Sequence, residues 1–217
     1  MDNDLEIRIG LFGFKGVGKS SMIMRFLMNE FVEEIEMGMG NRFRRKFDLD
    51  DESIYIYILD TTSDDSEFIF NNSIEYCDRI ILVYSITDRL SFNQIKIIYQ
   101  KITDYSKEEK KYPKILIGNK SDLFTKRQIT CKEGKELARE LNCKYIETSA
   151  KTGENINQIF YESLLLEFEE LKKNQNQNQN NQNQNNQNQN NQNQNNQNQN
   201  QNQNNQNQKK KGKCLLM

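Results

Sequence analysis

Residues 5–20 read LEIRIGLFGFKGVGKS, an apolar stretch that runs directly into a glycine-rich segment. The part from Gly13 to Ser20 matches the pattern G-x-x-x-x-G-K-[ST]. In such a loop the glycines let backbone N–H groups converge on a phosphate, the lysine reaches the β- and γ-phosphates, and the hydroxyl can bind Mg²⁺. The apolar residues before the loop predict a buried strand, and residues 22–28 predict a helix. We therefore expect that helix to begin near Gly18, with its positive end at the same anion.

The composition narrows the class of protein. The 217 residues include 30 basic and 31 acidic side chains and no histidine, and the net charge of −1 does not favour a general nucleic-acid-binding protein. The four cysteines lack C-x-x-C spacing, so neither a zinc site nor a disulfide framework is predicted, and a reduced cytosolic setting fits best. The acidic N-terminus does not resemble a signal peptide, and no stretch approaches the length of a membrane span.

The chain divides into three parts by composition. Residues 174–208 contain only Asn and Gln, so they predict a disordered linker between a folded domain, residues 1–173, and a polybasic C-terminal segment, residues 209–217. The folded part is long enough for one hydrophobic core. Because its strand and helix signals alternate, we expect a single α/β domain.

Short apolar runs mark the remaining strands. The basic segment that ends at Asp50 predicts an exposed strand, and the acidic pair Asp50-Asp51 suits a hairpin turn into the next strand. The buried strands are predicted at residues 54–59, 80–84, 115–117 and 145–146.

Capping signals mark the helices that lie between these strands. Ser91 is predicted to cap one helix, and Thr130 with Glu133 predicts a capping box ahead of another. A final helix is predicted over residues 154–173, with its core face formed by Ile156, Phe160, Leu164 and Leu171.

Polar residues follow two of the predicted strands. Asn119-Lys120-Ser121-Asp122 comes directly after one of them, at the strand end where open α/β sheets bind ligands. The Asp122 carboxylate can accept hydrogen bonds from N1–H and the exocyclic amine of guanine, which adenine does not offer on that edge. Asn119 would brace neighbouring loops, Lys120 would lie along the base, and residues 149–151, Ser-Ala-Lys, would supply a second contact to the base.

These elements occur in a characteristic order. A phosphate-binding loop, Asp60-Thr61, Asn-Lys-Ser-Asp and Ser-Ala-Lys together make residues 5–171 resemble the Ras family of small GTPases. The resemblance implies a P-loop NTPase fold: a doubly wound, mostly parallel six-stranded sheet with one antiparallel edge hairpin and about five helices. It also implies a small monomeric GTPase that binds GTP or GDP with Mg²⁺ and converts GTP to GDP and phosphate.

The resemblance also implies the nucleotide site, residue by residue. Phe31 would pack edgewise on the guanine ring, or else serve only as a hydrophobic contact at the helix end. Mg²⁺ would be held by Ser20 and, through water, by Asp60. The nucleotide-binding residues are then Gly13, Phe14, Lys15, Gly16, Val17, Gly18, Lys19, Ser20, Ser21, Phe31, Asp60, Asn119, Lys120, Asp122, Ser149, Ala150 and Lys151.

The chain departs from the family pattern at three places. Gly38 stands where the family has a threonine that binds Mg²⁺ and touches the γ-phosphate, and residues 22–52 contain no serine or threonine at all. Residues 60–64, Asp-Thr-Thr-Ser-Asp, replace D-T-A-G-Q, which removes the hinge glycine and the glutamine that orients water. Lys15 replaces a glycine and would crowd both the attacking water and an activating arginine.

These departures bear on catalysis. Lys19 and Asp64, the latter at the position of the usual glutamine, are the candidate catalytic residues. We expect slow hydrolysis, because the glutamine that orients water is missing and Lys15 would block a partner's arginine, which is worth about 10³ to 10⁵ in rate. Two alternatives stay open. Asp64 could position the water while Ser20, Asp60 and waters hold the metal, or the protein could be a scaffold that binds nucleotide without appreciable hydrolysis or switching.

A predicted effector region follows the first helix. It comprises Ile35, Glu36, Met37, Gly38, Met39, Gly40, Asn41, Arg42 and Phe43. The basic residues that continue this edge favour effectors unlike those of typical Ras proteins, and an exchange factor is expected at the same region. The alternative is that these edge charges only prevent aggregation.

The C-terminus carries a lipidation signal. Cys214 lies fourth from the end in a C-a-a-X box with Met last, which favours farnesylation, and four lysines beside it add attraction to an anionic leaflet. We therefore expect a protein on the cytoplasmic face of a membrane, with the plasma membrane as the first choice. The Asn/Gln linker would span roughly 30 to 35 Å as a flexible coil, and neutral repeat expansion or β-type self-association could each explain its composition.

Overall fold

The computed structural model describes residues 5–29, 42–49, 52–61, 66–106 and 115–164. Six strands form one sheet in the order β2-β3-β1-β4-β5-β6, and only the β2–β3 pair is antiparallel. The predicted sheet is thereby confirmed. The strands are β1 (Leu5–Phe12), β2 (Arg42–Leu49), β3 (Glu52–Asp60), β4 (Arg79–Ser85), β5 (Ile115–Asn119) and β6 (Lys144–Thr148).

Helices connect the strands, and the five α-helices found in the described ranges agree with the predicted number. A short 3-10 helix, Ser121–Lys126, follows β5 directly. The α-helices are α1 (Lys19–Met28), α2 (Glu67–Tyr76), α3 (Arg89–Tyr105), α4 (Cys131–Glu140) and α5, which is described over residues 156–164. None of the helices in these described ranges is long and apolar enough to cross a membrane.

The sheet is central because both its faces are covered. Every residue of β4 and β5 is buried, as expected for parallel strands that have helices on both sides. On one face Phe26 of α1 stacks on Phe160 of α5 at a ring distance of 4.1 Å, and Ile156 and Leu164 join the same core. The predicted core face of the last helix is confirmed over this part, while Leu171 lies outside the described residues.

Helix capping agrees with the sequence at one helix and not at another. The predicted capping box is present, because Thr130 Oγ1 accepts from Glu133 N while the Glu133 carboxylate accepts from Thr130 N. The prediction that Ser91 caps α3 is wrong. Asp88 is the cap and accepts from the backbone N–H groups of Leu90 and Ser91. The Ser91 hydroxyl is buried instead, where it donates to the Asp88 carbonyl and accepts from Ser85 N.

One edge of the sheet is formed by the predicted basic hairpin, and the other by β6. Strand β2 pairs with β3 from Arg42 opposite Leu59 to Leu49 opposite Glu52, so the chain reverses between positions 49 and 52. The turn residues themselves, positions 50 and 51, lie outside the described residues. Helix α2, for which the sequence showed no distinct signal, begins after Ser66, whose hydroxyl accepts from Ile69 N.

Candidate nucleotide-binding site

Glycine is required at three positions of the phosphate-binding loop, residues 13–20, which joins β1 to α1. A Cβ atom on Gly13 would lie 2.0 Å from the Val83 carbonyl oxygen, so any side chain there would displace the neighbouring strand. Gly16 and Gly18 have φ values of 74° and 99°, which side chains rarely adopt. The loop therefore follows a tight path that a side chain at any of these three positions would disturb.

Lys19 crosses this loop from the first turn of α1. Its side chain is 7% exposed, and Nζ donates to the carbonyl oxygens of Gly13, at 2.8 Å, and Phe14, at 3.2 Å. The ammonium group is thus held inside the curve of the loop. A buried cation in this position can neutralise phosphate oxygens.

Ser20 and Asp60 form the candidate metal site. The Ser20 hydroxyl donates to the Asp60 carboxylate, which lies at the end of β3. Burial raises the pKa of Asp60, while the Ser20 hydrogen bond and the positive charge of Lys19 act against that rise. The carboxylate is therefore short of compensating charge, and an added cation would stabilise its ionised form.

The donor set at this point fits Mg²⁺. This ion prefers oxygen ligands and is usually held by one or two carboxylates together with waters and substrate phosphates. Ser20 and Asp60 supply such oxygens beside the phosphate-binding loop. In the part of the chain that the structure describes, no cluster of three or more His, Cys, Asp or Glu side chains offers another metal site.

Asn119 connects the phosphate-binding loop with the loops after β5 and β6. Its Nδ2 donates to the Val17 carbonyl at 2.8 Å, and its Oδ1 accepts from Thr148 Oγ1 at 3.1 Å and from Ala150 N at 3.3 Å. The expectation that Asn119 braces neighbouring loops is confirmed. Lys120 adds a second connection, because its Nζ donates to the Gly16 carbonyl at 2.6 Å.

Asp122 lies in the first turn of the 3-10 helix and is oriented by Ser149. The Ser149 hydroxyl donates to Asp122 Oδ1 at 2.6 Å and also accepts from Thr152 N at 3.0 Å. The two predicted base-contacting segments therefore meet through their side chains. A fixed carboxylate at this edge can discriminate between purine bases, since it accepts hydrogen bonds and donates none.

Arg25 is a site-supporting residue that sequence analysis missed. From α1 its guanidinium donates to the carbonyl oxygens of Ala150, at 2.9 Å, Lys151, at 2.6 Å, and Asn29, at 2.9 Å. It thereby holds the loop after β6 against α1. A single arginine in an amphipathic helix is typical of a solvated face, so no local signal pointed to this role.

The remaining predicted residues differ in their surroundings, and many of them lie outside the described part of the chain. Phe14 packs against the hydrophobic core, and Lys15 and Lys151 are exposed. In the described part of the effector region, Arg42 lies over the Tyr76 ring at 4.0 Å and Phe43 packs against the core. The other predicted residues, namely Phe31, Ile35, Glu36, Met37, Gly38, Met39, Gly40, Asn41, Asp64 and Cys214, lie outside the described residues.

The fold and these loops define an α/β nucleotide-binding protein of the phosphate-loop class. The family model described as "Ras family" matches residues 8–168. Similar curated proteins are "Ras-related and estrogen-regulated growth inhibitor" from Homo sapiens, 39% identical over 163 residues, and "Ras-related protein Ral-B" from Rattus norvegicus, 35% identical over 173 residues. The matches cover 75% of this chain and 81% of the first relative, and 79% and 84% for the second.

The chain belongs to the Ras family of small GTPases. It is accordingly a GTP-binding protein whose activity is the hydrolysis of GTP. The resemblance seen in the motifs is thereby confirmed.

Proposed function

We propose that this protein is a membrane-tethered guanine-nucleotide switch that uses Mg²⁺ and hydrolyses GTP slowly. The observation that carries the proposal is the connection between three sites. Asn119 ties the phosphate-binding loop to the segment that holds Asp122 through the Val17 carbonyl, and Lys19 and the Ser20–Asp60 pair follow that contact directly, at the start of α1. One nucleotide with its metal ion would contact all of these groups.

Each group has a distinct role in the proposed complex. The backbone N–H groups of the loop and Lys19 would bind the phosphates, and Asp122 would bind the guanine edge. Mg²⁺, when bound, would neutralise charge on the β- and γ-phosphates, with the Ser20 hydroxyl as ligand and Asp60 acting through water. The hydroxyl would then exchange its hydrogen bond with Asp60 for the metal.

We expect slow hydrolysis because this chain lacks residues that the family pattern requires for catalysis. Gly38, Ser63 and Asp64 replace the metal-binding threonine, the hinge glycine and the water-orienting glutamine. Lys15 is exposed on the phosphate-binding loop, where a long side chain would obstruct an activating arginine. Such an arginine contributes about 4 to 7 kcal/mol, and small-GTPase hydrolysis without it is already on the order of 10⁻⁴ per second.

Single-turnover hydrolysis of pre-bound GTP in Mg²⁺ tests this proposal. The natural protein is compared with a variant that combines Lys15→Gly, Gly38→Thr, Ser63→Gly and Asp64→Gln. We expect the restored variant to be at least about tenfold faster, since one well-placed donor at a reacting centre is worth that much or more. A Lys15→Gly variant separates the effect of the loop from that of the other positions. Equal rates in all three proteins would show that the replaced residues are tolerated.

A second candidate function is a nucleotide-binding scaffold that does not switch. The observation that favours it is the segment 22–52, which offers no hydroxyl side chain to sense the γ-phosphate. Amide hydrogen exchange of the GDP-bound and GTP-bound forms distinguishes the two. A switch requires exchange rates near residues 30–41 or 62–65 to differ between the nucleotides, whereas a scaffold shows the same rates with both.

Membrane tethering is the remaining part of the proposal. Farnesylation of Cys214 would supply one weak anchor, and the four lysines beside it would add roughly 1 kcal/mol each at an anionic cytoplasmic leaflet. Residues 174–208 would then act as a spacer, so that exchange factors and effectors can reach the nucleotide domain. We place the protein on the cytoplasmic face of a membrane, with the plasma membrane as the first choice.

A further inference from the structure

Two tyrosines meet over strand β5 near its carboxyl end. Tyr84 comes from β4 and Tyr145 from β6, and their hydroxyl oxygens are 2.9 Å apart. The residue beneath them is Gly118, where a Cβ atom would lie 2.9 Å from both hydroxyls. Because any larger residue would push the rings apart, the glycine permits a bridge between the two strands that flank β5.

The bridge continues to a partly buried ion pair. The Tyr145 hydroxyl donates to Glu147 Oε1 at 2.8 Å, so the proton between the two tyrosines comes from Tyr84. Both guanidinium nitrogens Nη1 and Nη2 of Arg127 donate to the Glu147 carboxylate, at 2.7 and 2.8 Å. Burial alone would raise the pKa of Glu147, but the hydrogen bonds from Arg127 and Tyr145 outweigh it and lower that pKa. The pair is therefore charged at neutral pH.

Two members of this network, Arg127 and Glu147, adjoin the base-recognition loops, residues 119–122 and 149–151. Arg127 directly follows the 3-10 helix that begins with Ser121 and carries Asp122. Glu147 precedes Thr148, whose hydroxyl donates to the Asn119 side chain. The network touches neither loop at its functional groups, yet it fixes the strand end and the helix end from which the two loops depart.

We propose that Tyr84, Tyr145, Glu147 and Arg127 form a clamp that holds the two base-recognition loops at a fixed separation and thereby sets the lifetime of bound nucleotide. These are positioning residues, since none of them contacts the proposed base site. The inference rests on the proposed assignment of the two loops to guanine. It assigns a further function to side chains that lie behind the site rather than in it.

The Arg127–Glu147 pair can hold the two loops in place because of its geometry. A bidentate arginine–carboxylate pair restricts both distance and orientation, which a single lysine contact does not. Here the pair is only about a quarter exposed, with side-chain exposures of 25% and 21%, so water replaces it poorly. When the pair is broken, Asp122 and Ser149 are no longer held on a rigid frame, and base contacts open together more often. Differences of this kind between related complexes are expressed mainly in the dissociation rate.

The test is the release rate of a fluorescent GDP analogue from the full chain in Mg²⁺, measured after addition of excess GDP. We expect Glu147→Gln and Arg127→Ala to release nucleotide roughly tenfold faster, with Tyr145→Phe showing a smaller increase of about threefold. Arg127→Lys keeps the charge without the fork and should fall between Arg127→Ala and the natural protein. Hydrolysis of pre-bound GTP should be unchanged in these variants, because the clamp lies behind the base.

The matched control is Glu162→Gln, which breaks the ion pair between Lys144, on the same strand β6, and Glu162 of α5. This pair lies at the opposite end of β6 from the base-recognition loops, so release should stay within about twofold of the natural rate. The free energy of unfolding is measured for all variants. The clamp would be overturned if Glu162→Gln accelerated nucleotide release as much as the clamp variants do. It would also be overturned if the release rates of all variants only followed their free energies of unfolding, as for an ordinary structural ion pair.

Two further measurements keep this inference separate from the proposed function. Titration of the natural protein with GDP and ADP tests whether the loops recognise guanine, whatever the clamp does. Hydrogen exchange in the natural protein and Glu147→Gln tests the clamp directly, and we expect faster exchange at residues 121–128 in the variant. Exchange at residues 121–128 that is the same in both proteins would contradict the proposed clamp. The double variant of Arg127→Ala with Glu147→Gln should release nucleotide no faster than the faster of the two single variants, whereas additive effects would contradict a paired action.

Discussion

Asn119 Nδ2 donates a hydrogen bond to the Val17 carbonyl at 2.8 Å, although 102 positions separate the two residues. This contact joins the loop predicted to bind phosphate to the loop predicted to bind the base. The same side chain accepts from Thr148 and Ala150, so three segments depend on one amide. Asn119 is 1% exposed, so its three partners are shielded from bulk water and depend on this amide for their hydrogen bonds.

Asn119→Ala is therefore expected to destabilise the protein by about 2 to 4 kcal/mol, because buried partners left without a hydrogen bond cost about 1 to 3 kcal/mol each. Nucleotide release should also become faster. Urea unfolding and GDP release measure the two effects. Asn72→Ala, at an exposed position of α2, is the control and should change neither.

Gly13→Ala and Gly16→Ala separate steric from conformational effects in the phosphate-binding loop. A Cβ atom at Gly13 would lie 2.0 Å from the Val83 carbonyl oxygen, whereas nothing lies within 4 Å of one at Gly16. At Gly16 only the positive φ is unfavourable, and we expect a loss of about 1 to 2 kcal/mol. Gly13→Ala must displace β4 and should cost about 3 kcal/mol or more, with loss of GDP binding, because overpacking against backbone is at the upper end of such penalties. Equal unfolding free energies for the two variants would contradict this account.

Asp60→Asn should make the nucleotide-free protein more stable at pH 7. Burial raises the pKa of Asp60, so the folded state favours the neutral carboxyl. The raised pKa therefore contributes stability that is fully present below 3.8, the pKa of this carboxyl in the unfolded chain. This contribution is lost as the pH rises through the higher pKa of the folded state. The neutral amide does not titrate, and its advantage should disappear as pH falls below about 4. Urea unfolding across this pH range measures the difference.

The same Asp60→Asn variant should lose the effect of Mg²⁺ on GDP release, because the amide cannot hold the metal's water shell as a carboxylate does. Asp104→Asn, an exposed position on α3 with the same change of charge, serves as the control for both measurements. A Mg²⁺ effect that survives in Asp60→Asn would remove Asp60 from the metal site.

Asp122→Asn tests the guanine contact. An amide donates where the guanine edge also donates, so we expect GDP affinity to fall at least about 100-fold. Titration with GDP and ADP measures both the loss and the preference between bases. The variant should keep its fold, since an asparagine oxygen can still accept from Ser149. GDP affinity equal to that of the natural protein would exclude Asp122 from base recognition.

Cys214→Ser tests the membrane anchor in cells. Without the thiol no prenyl group can be attached, and four lysines alone bind a membrane only weakly, so the protein should move to the soluble fraction. Cys131→Ser is the matched control, because Cys131 is the exposed cysteine at the start of α4 and lies far from any lipidation motif. Membrane association that persists in Cys214→Ser would argue against lipid attachment at this residue.

Local patterns were enough to predict the sheet and the motifs from which the candidate site residues were chosen. The glycines, the lysine and the serine of residues 13–20 carry their chemistry within one loop, apolar runs mark the buried strands, and a basic segment marks the edge strand β2. The capping box at Thr130 was also visible, because both partners lie within one turn. Sequence analysis was wrong at Ser91, since a serine and an aspartate three residues apart offer equivalent caps until one of them is buried.

Long-range contacts could not be predicted in this way. No pattern near Arg25 shows that its guanidinium reaches the carbonyl oxygens of Ala150 and Lys151, and none near Gly118 shows that two tyrosines meet above it. These contacts depend on the strand order, which brings β4, β5 and β6 side by side.

The sequence by itself determined that this chain has a phosphate-binding loop, a guanine-type motif and the order of elements of the Ras family, because each of these is written in adjacent residues. Only the tertiary structure decided how the loops are held together. Asn119, Ser149 and Arg127 act through partners that are distant in sequence, and such partners become neighbours only when parallel strands end at one edge of a sheet.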